Sequence, residues 1–454
     1  MEVRDAIRRR PMTRFQWNVV TICILLTVVD GYEILVAAFT LPALTGEWGL
    51  SELQQAWVAS IGTLGMGVGA ATLSPLADRI GRRRHILASL ALIVVGMTLS
   101  GLATGPETFL VFRFFAGLFL GGIVPSINVL VAEYASDERR GSVMGIYGIG
   151  FPLGSATGGF LSLWLIGSLG WRGPYFFSAA ATAVMLAWCA ASLPESVGYL
   201  VEKRPAGALA AYNAIGARLG LPARSALPPA TSGELRPSLR ASMWSGVMLT
   251  RTVRLWTGYA LLILAFYFAN LYTAKLVAEV TGDASTGIVA QALVSVGGIV
   301  GALLFAALAR RWHPRLVTAG VMVYGLVAYW LFATFFENTS LVMLIAVLVG
   351  LAANGGVVAY YAISPSIYPT TVRASAVGLM MGFGRVFAVL APFVAAFLLG
   401  SGLSQPVLYQ VFGVIMLGSG IAIFALHRSY AGDHALDAMQ EEARAADALD
   451  AAAA

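Results

Sequence analysis

Hydropathy along the chain rises twelve times into apolar runs, near residues 17–42, 55–77, 86–104, 108–132, 143–166, 174–193, 255–278, 286–309, 316–336, 341–363, 376–400 and 406–426. Each run is about as long as a helix needs to cross a bilayer, roughly 20 residues. A polar stretch from Pro194 to Arg254, rich in Pro, Ala and Arg, separates six runs from six. It reads as a linker carrying one or two short amphipathic helices. The pattern predicts an all-α polytopic membrane protein with twelve transmembrane helices in two pseudo-symmetric six-helix bundles. The expected divisions are an N-terminal segment 1–16, a first bundle 17–193, the linker 194–254, a second bundle 255–426 and a tail 427–454. Tyr134-x4-Arg139 and Tyr368-x4-Arg373 each precede a glycine-rich run at equivalent places in the two halves, as a duplication would leave them. The first run lacks a small-residue cleavage site and outlasts a signal-peptide core, so it is expected to be retained as a span.

Composition fits this picture: 58% of residues are hydrophobic, 11% are charged and 50 are glycine. Of the 29 Lys and Arg, all but Arg113, Arg172, Lys275 and Arg385 fall in the N-terminus, the even-to-odd loops, the linker or the tail. Basic residues collect on the cytoplasmic side of a membrane protein, which places both termini in the cytoplasm. Glu47, Glu52, Glu107, Glu279, Asp283 and Glu337 lie outside or near it. The net charge of +6 thus follows topology, and nucleic acid is not an expected partner. Cys23 and Cys189 fall within apolar runs and read as packing residues. The tail beyond Tyr430, rich in Ala, Asp and Glu, suits a surface helix or disorder.

The chemistry is concentrated in charges that the membrane should exclude. Asp30-Gly31-Tyr32-Glu33 sits in the middle of the first run, where a charge costs at least ~2.5–3.5 kcal/mol. Residues that bear such a cost usually mark ion or proton pathways. Asp30 and Glu33 are three apart and are expected to share one helix face, where two like charges in an apolar setting suit proton uptake and release. The same spacing also suits an ion pair that fastens two helices. Arg113 lies about six residues into the fourth run, with Gly117 and Gly121 leaving a smooth face beside it for the first run. An Arg113–Asp30 pair is expected, either as a switch released by protonation or as a constitutive bridge. Arg385, near the middle of the eleventh run among Gly378, Gly382 and Gly384, offers a planar fork for a carboxylate. An interhelical pair within the second half is the other reading. Tyr32, Tyr259, Phe266, Tyr267 and Phe268 are candidate aromatic lining, with Asn270, Asn354, Tyr360 and Tyr361 as polar contacts. Lys275 is expected to snorkel to the outer surface and is not placed in the site. With all four midplane groups ionised their charges cancel, so an entering monocarboxylate leaves the site one charge negative and one proton restores neutrality.

Between the second and third runs stands Leu76-Ala77-Asp78-Arg79-Ile80-Gly81-Arg82-Arg83-Arg84. This segment resembles the loop signature of the major facilitator superfamily. The resemblance implies a cytoplasmic latch made by Asp78, Arg79, Gly81 and Arg82. Asp78 can pair with basic groups and cap a neighbouring helix start. Glu133, Arg139 and Arg373 are assigned to the same gate. The corresponding loop in the second half, Arg310-Arg311-Trp312-His313-Pro314-Arg315, keeps the charge but lacks the acid and the glycine. Asp30-Gly31-Tyr32-Glu33, Arg113 with Gly117 and Gly121-Gly122, Pro125, Glu133-Tyr134, Pro194-Glu195-Ser196, Tyr368 to Arg373 and Gly382-Phe383-Gly384-Arg385 together resemble the aromatic acid:proton symporter branch. That branch often has Asp where Glu33 stands here. The resemblance implies uptake, by alternating access across a bacterial inner membrane, of a benzoate-like or hydroxybenzoate-like anion with protons. It also implies a chain working alone, without a cofactor. A drug:proton antiporter and a sugar or polyol symporter are the alternatives; Phe151-Pro152 stands where the antiporter's Gly-Pro pair would be, and a central Arg385 suits an anion better than a neutral polyol. No metal cluster, nucleophile triad or phosphate-cradling loop stands out, so an enzyme is not expected.

Overall fold

A computed structural model describes residues 2–229, 246–368 and 370–430, with the side chains of 370–375 outside that description. The expectations for the tail beyond Tyr430 and for the 230–245 part of the linker lie outside the described residues. The described chain is helical, and twelve helices follow the apolar runs: α1 (Arg14–Trp48), α2 (Glu52–Thr72), α3 (Arg82–Gly101), α4 (Pro106–Tyr134), α5 (Arg140–Leu169) and α6 (Gly173–Ser192) before the linker. After it come α7 (Gly246–Thr281), α8 (Ala284–Leu308), α9 (Pro314–Thr334), α10 (Thr339–Ile363), α11 (Thr370–Gly400) and α12 (Gln405–Arg428).

Local chemistry sets their ends. Thr13 with Gln16 and Ser51 with Gln54 form capping boxes that open α1 and α2, and Gly49, at φ 62°, closes α1 in the left-handed region. Asp283 caps α8. Hydrogen bonds from Ser285 and Thr286 hold its carboxyl down to about 2, so the cap stays charged. The second run, expected to continue to residue 77, instead breaks at Leu73 and bends by 41° into a short helix, Ser74–Ile80. Pro75 accounts for the break, because its ring lacks the N–H that a continuing helix would use. In the linker, Val197–Lys203 and Ala208–Arg218 are short helices. A helix at Val3–Arg9, with no counterpart in the hydropathy pattern, docks against them: the Val3 backbone N–H donates to Tyr212 Oη at 3.1 Å.

Packing repeats between the halves. The pairs α2–α4, α3–α6, α1–α5 and α3–α4 recur as α8–α10, α9–α12, α7–α11 and α9–α10. The halves meet through α5–α8, α2–α11 and α1–α7. Along α5–α8 and α2–α11 the close contacts run from the end remote from the chain termini to about the level of Arg385, which lies against Gly67 of α2. Along α5, Gly141, Gly145, Gly148, Pro152, Ser155 and Gly159 recur every three or four residues and form one stripe. Ser155 is hydrogen-bonded to Ser295 of α8, and Gly159 admits Ala292. Among the described residues, no atom beyond the local turn of α5 itself lies within 4 Å of the position a Cβ would take at Gly141, Gly145 or Gly148. The α11 stripe repeats the pattern: Phe393 packs on Trp57 of α2 with ring centroids 4.8 Å apart, and Val389 accepts from Ser60 Oγ at 3.3 Å, but Gly378 and Gly382 likewise face open space. The halves therefore close at the end remote from the chain termini. At the terminal end they diverge, leaving a chamber between them.

Candidate functional site

Asp30 lies halfway along α1, is 8% exposed, and has an Oδ1 without a hydrogen-bond partner. The charges that act on it are those of Glu33, three residues on, and Arg385, from the opposite half. No direct ion pair joins Asp30 to a basic group among the described residues. Arg385 donates from Nη1 to Tyr267 Oη at 2.8 Å, which orients the guanidinium from α7. Tyr259 packs against Gly384, beside Arg385, and its hydroxyl lies 3.3 Å from that of Tyr361. A carboxylate on one half thus opposes an arginine on the other, with phenols around it. Tyr147 of α5 belongs to the same group: it neighbours Thr27 and stands within electrostatic reach of Asp30 and Tyr361. The hydropathy pattern gave no reason to single out Tyr147, since an aromatic residue on a membrane helix usually packs.

Glu33 does not share this chamber. Its Oε1 accepts from Ser178 Oγ at 2.8 Å and Thr182 Oγ1 at 2.7 Å, both on α6, and the residue is buried inside the first half. Positions three apart on a helix are rotated by about 60°. Here that rotation divides two surfaces of α1. Arg113 follows Glu33 and not Asp30, which corrects the expected pair: Nη2 donates to the Glu33 carbonyl oxygen at 3.0 Å, and Nη1 lies 3.1 Å from Met97 Sδ. Its guanidinium also stands 5.7 Å from the centre of the Tyr175 ring. The smooth face beyond it packs on α2, not on α1 as expected. Gly117 meets the Gly62 backbone and Gly121 the Met66 backbone, while Gly65 and Gly69 meet the carbonyls of Phe114 and Leu118.

Several candidate lining residues point elsewhere. Tyr32 turns into the first half, donating to the Pro174 carbonyl at 2.9 Å and stacking edge-on against Phe177. Tyr360 is fully buried in the second half, its hydroxyl 2.7 Å from Ser419 Oγ. Phe268 stacks on Phe412 with centroids 3.8 Å apart, a packing contact. Phe266 sits edge-on to Tyr267. Asn270 differs from these: it donates to the Phe266 carbonyl at 2.9 Å within its own helix, but its Oδ1 has no hydrogen-bond partner. Asn354 faces Gly298 of α8.

At the terminal end, Glu195 from the linker organises the loop between α2 and α3. Its Oε1 accepts the backbone N–H of Arg82 at 2.9 Å and of Arg83 at 3.1 Å, a carboxylate placed where the helix start favours negative charge. Asp78 pairs with Arg82 at 3.1 Å, but the expected capping role belongs to Glu195. Arg82 Nη1 also donates to Ser196 Oγ at 2.8 Å, and Ser196 donates in turn to Glu133 at 2.7 Å. Gly81, at φ 100°, turns the chain against the Glu195 carboxylate, and Tyr199 Oη donates to the Arg79 carbonyl at 3.0 Å. Arg139 is exposed, and it is Arg140 that reaches back, donating to the Ala132 carbonyl at 2.8 Å. The side chain of Arg373 lies outside the described residues.

At the closed end the expected snorkelling lysine is buried. Lys275 of α7, its side chain 3% exposed, pairs with Glu52 of α2 at 2.6 Å and with Glu279 at 3.5 Å. The pair bridges the two halves. Hydropathy could not reveal this, because the partner lies in the other half of the sequence.

Comparison with known proteins agrees with this architecture. The family description "Major Facilitator Superfamily" matches residues 23–335 and 255–448. A gallate transporter of Pseudomonas putida is 30% identical over 428 residues, covering 94% of this chain and 95% of that protein. The 4-hydroxybenzoate transporter PcaK of Acinetobacter baylyi is 27% identical over 430 residues, covering 93% and 94%. The benzoate transport protein of the same organism is 27% identical over 410 residues, covering 88% and 87%. Such relatives are transport proteins and not enzymes, and this integral membrane chain belongs to the Major Facilitator Superfamily.

Proposed function

We propose that the protein is a proton-coupled symporter that imports a small aromatic carboxylate by alternating access. The observation that carries this reading is the opposition of Asp30 and Arg385 across the two halves, with Tyr267 holding the guanidinium. The planar fork of Arg385 suits a carboxylate, and Tyr259, Tyr267 and Tyr361 supply aromatic surface around it. Relatives named for gallate, 4-hydroxybenzoate and benzoate transport support the substrate class.

Coupling follows from competition for one cation. A substrate carboxylate bound to Arg385 takes the counter-charge that Asp30 otherwise feels. A buried carboxylate deprived of its partner is costly, so Asp30 accepts a proton, and the loaded site crosses without added net charge. Glu33 and Arg113, held together inside the first half, stabilise that half and complete the charge balance. With the basic terminal side in the cytoplasm, the chamber described above opens inward, the state that releases substrate. In this reading the rocking units are 17–193 and 255–426, joined by a cytoplasmic linker, and one chain in a bacterial inner membrane suffices.

Asp30→Asn tests the coupling. In proteoliposomes the variant should lose accumulation against a gradient while keeping counterflow exchange. Loss of both would move Asp30 from coupling into substrate binding or structure.

A further inference from the structure

Two buried amides on α7 and α8 have unmet hydrogen-bonding capacity. Gln291 is fully buried, and neither its Nε2 nor its Oε1 has a partner. Asn270 is 1% exposed and leaves its Oδ1 unpartnered. Buried polar side-chain atoms are satisfied in the large majority of cases, and each exception calls for a cause. Here one amide contributes an acceptor and the other both an acceptor and a donor.

Their placement follows from the helix contacts. On α8, Ala292 and Ser295 meet α5, whereas Val294, Gly297 and Gly301 meet α10. Gln291 falls in the arc between these two surfaces, opposite the exposed Val300, Leu303 and Leu304. Gly287 packs on Ala274 of α7. Gln291 is one turn inward from Gly287, and Asn270 is one turn inward from Ala274, so the two amides lie level in the α7–α8 pair. Tyr267, which holds Arg385, is a further turn inward on α7, and Ser295, bonded to Ser155, is a further turn inward on α8. The amides therefore stand about one helical turn, 5.4 Å, beyond the guanidinium, toward the closed end. That offset is comparable to the span of a phenyl ring.

We infer that Gln291 and Asn270 form a subsite for a hydroxyl on the substrate ring, so the preferred cargo is a ring-hydroxylated aromatic acid in place of the unsubstituted one. The inference rests on the reading of an aromatic carboxylate at Arg385. A hydroxyl both donates and accepts, which satisfies an amide oxygen and the Gln291 Nε2 together. A ring lacking it leaves those atoms buried and unpaired, and a site built this way rejects the analogue. Asn270 is a candidate polar contact from the sequence, whereas Gln291 is not, because a glutamine on an apolar run carries no pattern.

The test uses the full-length protein in proteoliposomes with 4-hydroxybenzoate and benzoate as paired probes. The wild type should prefer the hydroxylated acid by about tenfold in KM, the magnitude of one hydrogen bond in a buried site. Gln291→Met, which keeps the volume and removes the amide, should bring the ratio close to unity with benzoate uptake retained. Absence of preference in the wild type overturns the inference, whether or not the variant folds. An unchanged ratio in the variant, or loss of both uptakes from a folded variant, overturns it as well. If the wild type moves neither acid, the aromatic-carboxylate reading itself falls.

Discussion

Removing the Lys275 ammonium should loosen the closed end. Lys275 is the cationic centre of the bridge between halves, with Glu52 at 2.6 Å and Glu279 at 3.5 Å. Only the Glu52 contact spans the halves, since Glu279 lies on the same helix and stays with the lysine when they part. The lysine side chain is 3% exposed but Glu52 is 39% exposed, so the pair lies between the surface and buried limits. Exposed pairs contribute about 0–1 kcal/mol, and breaking a buried one costs about 3–5. A value of about 1–2 kcal/mol for the closed end is therefore reasonable, equivalent to a shift of roughly 5–30-fold in the ratio of closed to open. Ser60 reports on this equilibrium. It is fully buried where α2 meets α11, and both native cysteines, Cys23 and Cys189, are buried as well. A Ser60→Cys variant should react slowly with a membrane-impermeant maleimide. Adding Lys275→Met should raise the labelling rate by that same factor, while Glu279→Gln should leave it nearly unchanged. Equal rates with and without Lys275 would show that the bridge does not hold the halves together.

Two other perturbations separate packing from motion and binding. Gly69→Ala drives a methyl into the Leu118 carbonyl and should cost about 1–3 kcal/mol, seen as a lower melting temperature, whereas Gly148→Ala faces open space and should leave melting unchanged. If the α5 stripe must close on α8 during the cycle, Gly148→Ala should nonetheless slow transport. Arg385→Lys keeps the charge but loses the fork and the paired geometry with Tyr267; KM for the carboxylate should rise about tenfold or more.

The fold was readable because apolar length alone delimits membrane helices, and twelve runs led to twelve helices. The break at Leu73 falls inside the second apolar run, where hydropathy is blind to the N–H that Pro75 lacks. Within the site, the residue types were legible but their directions were not. Asp30 and Glu33 occupy one helix face at the level of spacing, yet the 60° between them decides which carboxyl meets the opposite half and which meets Ser178 and Thr182. Periodicity specifies a face and cannot name the neighbour, so Arg113 was matched to the wrong acid. Lys275 with Glu52, and Glu195 with the start of α3, are pairings of distant segments that only the packed structure brings together.

Simultaneous recording of internal pH and radiolabelled substrate in proteoliposomes containing the wild type tests the central claim most directly. The competition of substrate and Asp30 for Arg385 predicts inward proton flux with every anion, at one or more per molecule, and uptake driven by an imposed pH gradient alone. Substrate entry with no accompanying proton movement would contradict it.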